Sequence, residues 1–257
     1  MRERLAAMAR SHPLAMFFAL AYGFSWLVFV PMVLLEGPPQ LTILASFGPT
    51  IAAVIVHRLS TGSYRFLPLQ AGLTRIVAAS AVGAALIILA FVVLPALVTA
   101  DPGKLNWSVL FSFSVFNYST LLGGPLGEEP GWRGYALPRM QASSGPVPGS
   151  LLLGFLWSLW HLPMFLRPGW QSAPLWVYII IVCGLSIIMT FAANLSRFSV
   201  ITAVLLHAVF NTVSKYLAGL FASTQPATAL PFDLVMGLCG MAVALLLAFA
   251  TKGRLGK

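Results

Sequence analysis

Stretch after stretch of this chain runs apolar for about the 20 residues that an α-helix needs to cross a bilayer core roughly 30 Å thick. Runs of that order fall at 13–35, 41–57, 76–99, 107–127, 149–166, 174–195, 198–220 and 231–250. The expected fold class is therefore all-α, a polytopic transmembrane bundle of about eight helices in a single integral membrane domain over residues 1–257. Composition agrees, because 59% hydrophobic and 8% charged residues leave too little polar surface for an ordinary soluble domain. The start, "MRERLAAMARSHP", has the charged lead of a signal peptide. The apolar run behind it is longer than a signal core and ends in "LLEGPPQ" without a small-x-small cleavage pattern, so a retained first span is expected.

The net charge of +9 does not point to nucleic acid, since the basic residues sit singly at the ends of apolar runs rather than clustered on a soluble face. Their distribution instead orients the chain, because Lys and Arg are held back on the cytoplasmic side during insertion. With the N-terminus inside, Arg2, Arg4, Arg10, Arg58, Arg65, Arg75, Arg133, Arg139, Arg197, Lys252, Arg254 and Lys257 fall on the inner side. Lys104, Arg167 and Lys215 remain on or near the outer side, as do the acids Glu36, Asp101 and Asp233. Both termini are expected in the cytoplasm, and the membrane is expected to be the plasma membrane of a bacterium. Cys183 and Cys239 lie in apolar runs with no partner at a metal-ligand spacing and read as packing residues.

Ionisable groups inside such a bundle are costly, so those present are candidates for function. In "ITAVLLHAVFNTV", His207 and Asn211 are four residues apart and project from one helix face. In "GFLWSLWHLPMF", His161 follows Trp157 by one turn and sits beside Trp160, with Pro163 freeing backbone carbonyls nearby. In "PLGEEPGWRGY", Glu129 and Arg133 have the i, i+4 spacing and the acid-first order of a helical ion pair. Glu128, turned about 100° from its neighbour on a helix, is left as the free carboxylate. Gly123, Gly124, Pro125, Gly127, Pro130 and Gly131 crowd this stretch and allow a bent helix and close backbone approach. Asn194 is a further polar companion. Each group alone fits a plain reading: a helix-helix hydrogen bond, a packing histidine, an interfacial charge cluster. Together, a carboxylate, two histidines and an asparagine can activate water and donate to an oxyanion, which is the chemistry of hydrolysis.

The order Glu-Glu-x-x-x-Arg (128–133), aromatic-x-x-x-His (157–161) and His-x-x-x-Asn (207–211) resembles the CPBP family of intramembrane proteases, also called Abi. That family includes the CAAX prenyl endopeptidases and bacteriocin-processing or self-immunity proteins. The motif-bearing core covers about 120–215, and the second motif begins here with Trp157 where the family usually has Phe. The resemblance implies an eight-helix bundle with a cytoplasm-accessible catalytic cavity, Glu128, His161, His207 and Asn211 as the catalytic set, and Glu129, Arg133 and Trp157 in support. It implies an endopeptidase acting on a membrane-associated peptide or protein within the lipid bilayer, with water activated by Glu128 and His161. Two courses stay open: a metal-free glutamate mechanism, or a divalent ion, zinc first, held by Glu128, His161 and His207. The alternatives to proteolysis are a proton-coupled transporter and a non-catalytic membrane scaffold of the same fold.

Overall fold

The computed structural model describes residues 1–67, 71–99, 106, 118–171, 173–220 and 231–257. All regular structure among them is helical. The chain opens with α1 (Arg2–Ser11), which turns the charged lead into a helix, and continues into α2 (Pro13–Leu34). Next come α3 (Leu41–Ser46) and α4 (Gly48–Thr61), one apolar stretch broken only at Phe47. α5 (Leu73–Ile88) passes through a π-helical turn, Leu89–Val93, into α6 (Leu94–Thr99). The short α7 (Tyr118–Leu122) and α8 (Pro125–Glu129) lead to a second π-helical segment, Pro130–Ala136, and α9 (Leu137–Ser144). α10 (Pro146–Trp160) runs into a 3-10 segment, Leu162–Leu166, and is followed by α11 (Leu175–Leu195), α12 (Val200–Leu220) and α13 (Phe232–Ala250).

Among the described residues, five stretches are long and apolar enough to cross a membrane: Pro13–Leu34, Leu41–Thr61, Leu73–Thr99, Leu175–Leu195 and Phe232–Ala250. Pro146–Trp160 and Val200–Ser214 are shorter apolar helices. Most of the expected fourth span, 107–127, lies outside the described residues, as do Asp101 and Lys104. The expected span at 149–166 is corrected in form: regular α-helix stops at Trp160, because Pro163 has no N–H to extend the ladder. Large apolar side chains such as Leu27, Leu246 and Phe249 face outward, as lipid-facing positions do. The protein is a polytopic, all-helical integral membrane protein.

Small residues let the helices approach. A methyl group on Gly154 would press on Cys183 and Ser186, and one on Gly184 on the backbone at Gly240. α10 and α13 thus close on opposite sides of α11, as expected where lipid supplies no hydrophobic drive and packing must. Short polar bonds reinforce these seams, with Ser186 Oγ donating to Ser150 O at 2.8 Å and Ser25 Oγ to Ala45 O at 2.7 Å. At one end of the bundle, Gln141 Nε2 donates to Asn194 Oδ1 and Asn194 Nδ2 donates to Leu255 O, tying α9, the end of α11 and the C-terminal tail together. Asn194 is therefore a structural clasp.

Candidate active site

The stretch from Gly124 to Ala136 owes its shape to its prolines and glycines. Pro125 starts α8 at a position whose N–H would be unpaired in any case. Pro130 opens the π-helical segment, where the absence of its N–H removes a rung of the α-helical ladder. Gly127 packs against Ser46 and Gly131 against the Pro49 backbone, at spacings no side chain could share. Thr50 Oγ1 donates to Gly127 O at 2.6 Å. The two glutamates are thereby pinned in the protein interior against the break between α3 and α4, both buried.

From that position they turn to different partners. Arg133 Nη1 donates to Glu129 Oε1 at 2.9 Å, so the expected ion pair forms, with both side chains almost fully buried. The same oxygen receives His207 Nδ1 at 2.8 Å. Glu129 is thus more than a counter-ion for Arg133, because it also sets the ring of His207. Glu128 receives two indole N–H groups on a single oxygen: Trp157 Nε1 donates to Oε2 at 2.6 Å and Trp132 Nε1 at 3.2 Å. Trp157 also presents its ring face to Arg133, whose Cζ lies 4.2 Å from the centroid, and its edge region to His207, with centroids 5.0 Å apart.

With Oε2 doubly held, Oε1 is the oxygen of Glu128 left for chemistry. A methyl group on Gly124 would lie 3.1 Å from this oxygen, 3.6 Å from Asn211 Nδ2 and 3.6 Å from His207 Cε1. Three of the expected groups therefore converge on one point, and the missing side chain of Gly124 keeps it open. The fourth, His161, caps the end of α10, and its Nδ1 lies 2.9 Å from Trp157 O. Since a carbonyl only accepts, Nδ1 carries the proton, and the neutral ring keeps its lone pair on Nε2. Stacked on Trp170 and edged by Trp160 and Tyr178, His161 stands in an aromatic box. A cavity of about 220 Å³ has Glu128, His161, His207 and Asn211 in its lining, together with Trp157, Trp170 and Tyr178.

Among the described residues, no three His, Cys, Asp or Glu side chains gather closely enough to hold a metal ion. Glu128, His161 and His207 share the cavity; Nδ1 of each ring and Oε2 of Glu128 are engaged by protein groups, so the atoms a divalent ion could take are the two Nε2 atoms and Glu128 Oε1.

One contributor escaped the sequence reading and another was not singled out in it. Trp132 stands four residues after Glu128, the same spacing that identified Arg133 with Glu129, so a periodicity signal was present. Gly124 gave no signal beyond being one of several glycines.

Comparison with known proteins gives the arrangement a context. Residues 85–213 match the family described as type II CAAX prenyl endopeptidase Rce1-like. The chain is also 32% identical over 99 residues to CAAX prenyl protease 2 of Methanococcus maripaludis, an alignment covering 35% of this chain and 36% of that relative. The match thus spans about a third of the relative's length. Half of the chain, including all three motifs and the residues that meet around Gly124, lies within the family match, and the chain belongs to the Rce1-like, CPBP family of type II CAAX prenyl endopeptidases.

Proposed function

We propose that the protein is an intramembrane endopeptidase that hydrolyses a peptide bond in a membrane-associated protein or peptide. The observation that carries this reading is the convergence of Glu128 Oε1, Asn211 Nδ2 and the His207 ring on one open point of a cavity that His161 also lines. A water placed between Glu128 and His161 loses a proton to Glu128 Oε1 as its oxygen bonds to the scissile carbonyl carbon. The negative charge that develops on the carbonyl oxygen is met by Asn211 Nδ2–H, beside the His207 ring that Glu129 holds in place. The C–N bond then breaks, and the proton held by Glu128 passes to the leaving amine. Glu128 ends as a carboxylate, ready for the next water.

The course is written without a metal, since Glu128 Oε1 can take the proton directly and no step needs a Lewis acid. Trp132 and Trp157 position Glu128 by fixing one oxygen, while Glu129 and Arg133 position His207. The reading is tested with purified protein in liposomes and a peptide-cleavage screen of wild type against Glu128→Gln. Loss of cleavage in the variant with retained folding is expected; equal cleavage by both would falsify the assignment.

A further inference from the structure

A second hollow lies away from the catalytic cavity, on the outside of the bundle. α5 meets its neighbours closely at Gly83, where an added methyl group would press on Leu206 at 2.6 Å and on Ala192 at 3.1 Å. Before that contact, a hollow of about 520 Å³ lies between the first turns of α5 and the end of α11. Thr74, Ala78 and Val82, each four residues on from the last, line it together with Arg75 and Ala79, and Leu195 forms the opposite wall. Ala79 is buried at the floor, while Thr74, Arg75, Ala78 and Val82 are exposed. The hollow is therefore a groove, and short side chains leave it unfilled. α5 begins a stretch, Leu73–Thr99, that is apolar enough to cross a membrane, and Leu73, Val77 and Val82 are exposed along it. The groove thus opens towards lipid.

Charge is confined to one end. Arg75 is the charged residue of the lining and the third residue of the span, so it stands where hydrocarbon gives way to head groups. Its guanidinium makes no hydrogen bond or ion pair among the described residues. The first turn of α5 carries no acid. On the opposite wall, exposed Arg197 follows Leu195 by two residues. Gly256 packs on Leu195, an added methyl group lying 3.1 Å from Cδ2, which sets exposed Lys257 beside the same wall.

We infer that this groove holds one anionic phospholipid, with its phosphate at Arg75 and an acyl chain laid along Ala78, Ala79 and Val82 against Leu195. A groove that is apolar over about 10 Å of helix and basic at one end matches a molecule built the same way, and basic pockets between membrane helices take anionic head groups. A zwitterionic head group would bring a further positive charge to Arg75. A second copy of this chain, with its net charge of +9, would bring like charge to a basic rim. The inference depends neither on proteolysis nor on which side of the membrane the basic end faces.

The full chain, purified in detergent, tests it by titration with dioleoyl phosphatidylglycerol or dioleoyl phosphatidylcholine, with bound lipid counted by native mass spectrometry. Wild type is expected to retain one phosphatidylglycerol per chain with a preference of about fivefold over phosphatidylcholine, the scale of one basic residue at an anionic head group. Arg75→Gln removes that preference. Ala78→Phe, which fills the groove and leaves Arg75 in place, lowers retention of both lipids. Both positions are exposed, so neither change opens the core. Arg10→Gln alters an exposed arginine of α1 that does not line the groove, and it keeps the wild-type preference. Inorganic phosphate does not displace the lipid. Equal retention of the two lipids by wild type, an unchanged preference in Arg75→Gln or an equal loss in Arg10→Gln overturns the inference. So does displacement by phosphate alone, which marks a bare anion site, or unchanged retention by Ala78→Phe, which takes the chain out of the groove. A dimer in place of the lipid adduct assigns the groove to a second copy and overturns it as well.

Discussion

On the cavity side, Glu128 takes both of its hydrogen bonds from neutral indoles; one residue along, Glu129 faces a guanidinium and an imidazole. The two carboxylates are equally buried, so burial alone does not separate their roles. What separates them is the charge of their partners. A carboxylate paired with a guanidinium is fixed in place by that ion pair, whereas one bonded only to neutral donors can exchange a proton without breaking one. In the proposed reading the layer around Glu129 is the fixed one and Glu128 is the group that turns over.

That contrast breaks most visibly at Glu128. Glu128→Gln is expected to lower kcat for peptide cleavage about 10³-fold or more, the scale of losing a general base. Its thermal unfolding midpoint stays near wild type, because the amide oxygen still accepts the indole N–H groups. Glu129→Ala should show the opposite profile. It strands Arg133 as a buried unpaired charge and is expected to cost about 3–5 kcal/mol of stability, measured by denaturant unfolding in detergent. If both single variants lost stability equally, the division between a working and a supporting carboxylate would fail. Asn211→Ala sharpens the cavity side: loss of an oxyanion donor is expected to reduce kcat about 10²-fold, with KM little changed. Trp157→Phe, which restores the residue type usual in the family, removes one donor to Glu128 while Trp132 remains. A fall in kcat of about tenfold is expected in cleavage assays, the scale of one hydrogen bond to a charged group. The smallest effect is expected from a strong chelator, which should leave cleavage by the purified protein unchanged; recovery of lost activity by added zinc would reinstate the metal course.

Much of this was legible in the sequence because it depends on local spacing. The starts of α2, α11 and α13 came from apolar length, and the Glu129–Arg133 pair from an i, i+4 rule that survives even at the entry to a π-helical segment. The bond from His207 to Glu129 was not legible, since those residues are 78 positions apart and meet only through packing of α12 on α8. The same holds for Trp157, whose aromatic character was evident but whose N–H finds Glu128 across 29 residues. The stop of α10 at Trp160 was half legible: Pro163 signalled a break, but an apolar run to residue 166 concealed where the helix would end.

That early stop has a consequence for how the reaction is supplied. Fifteen residues of α10 rise about 22 Å, short of a hydrocarbon core of roughly 30 Å, so the backbone beyond His161 leaves regular helix while still at membrane depth. Carbonyls there need partners that lipid cannot provide, and irregular backbone at such depth persists only against protein or water. Trp26 serves the carbonyl of Trp160, while the 3-10 turn and the connection behind it contribute Met164 and Trp170 to the cavity lining. Water serving this break would stand beside His161, so the shortness of one helix offers a route for the second reactant of any hydrolysis into a place otherwise lined with tryptophan.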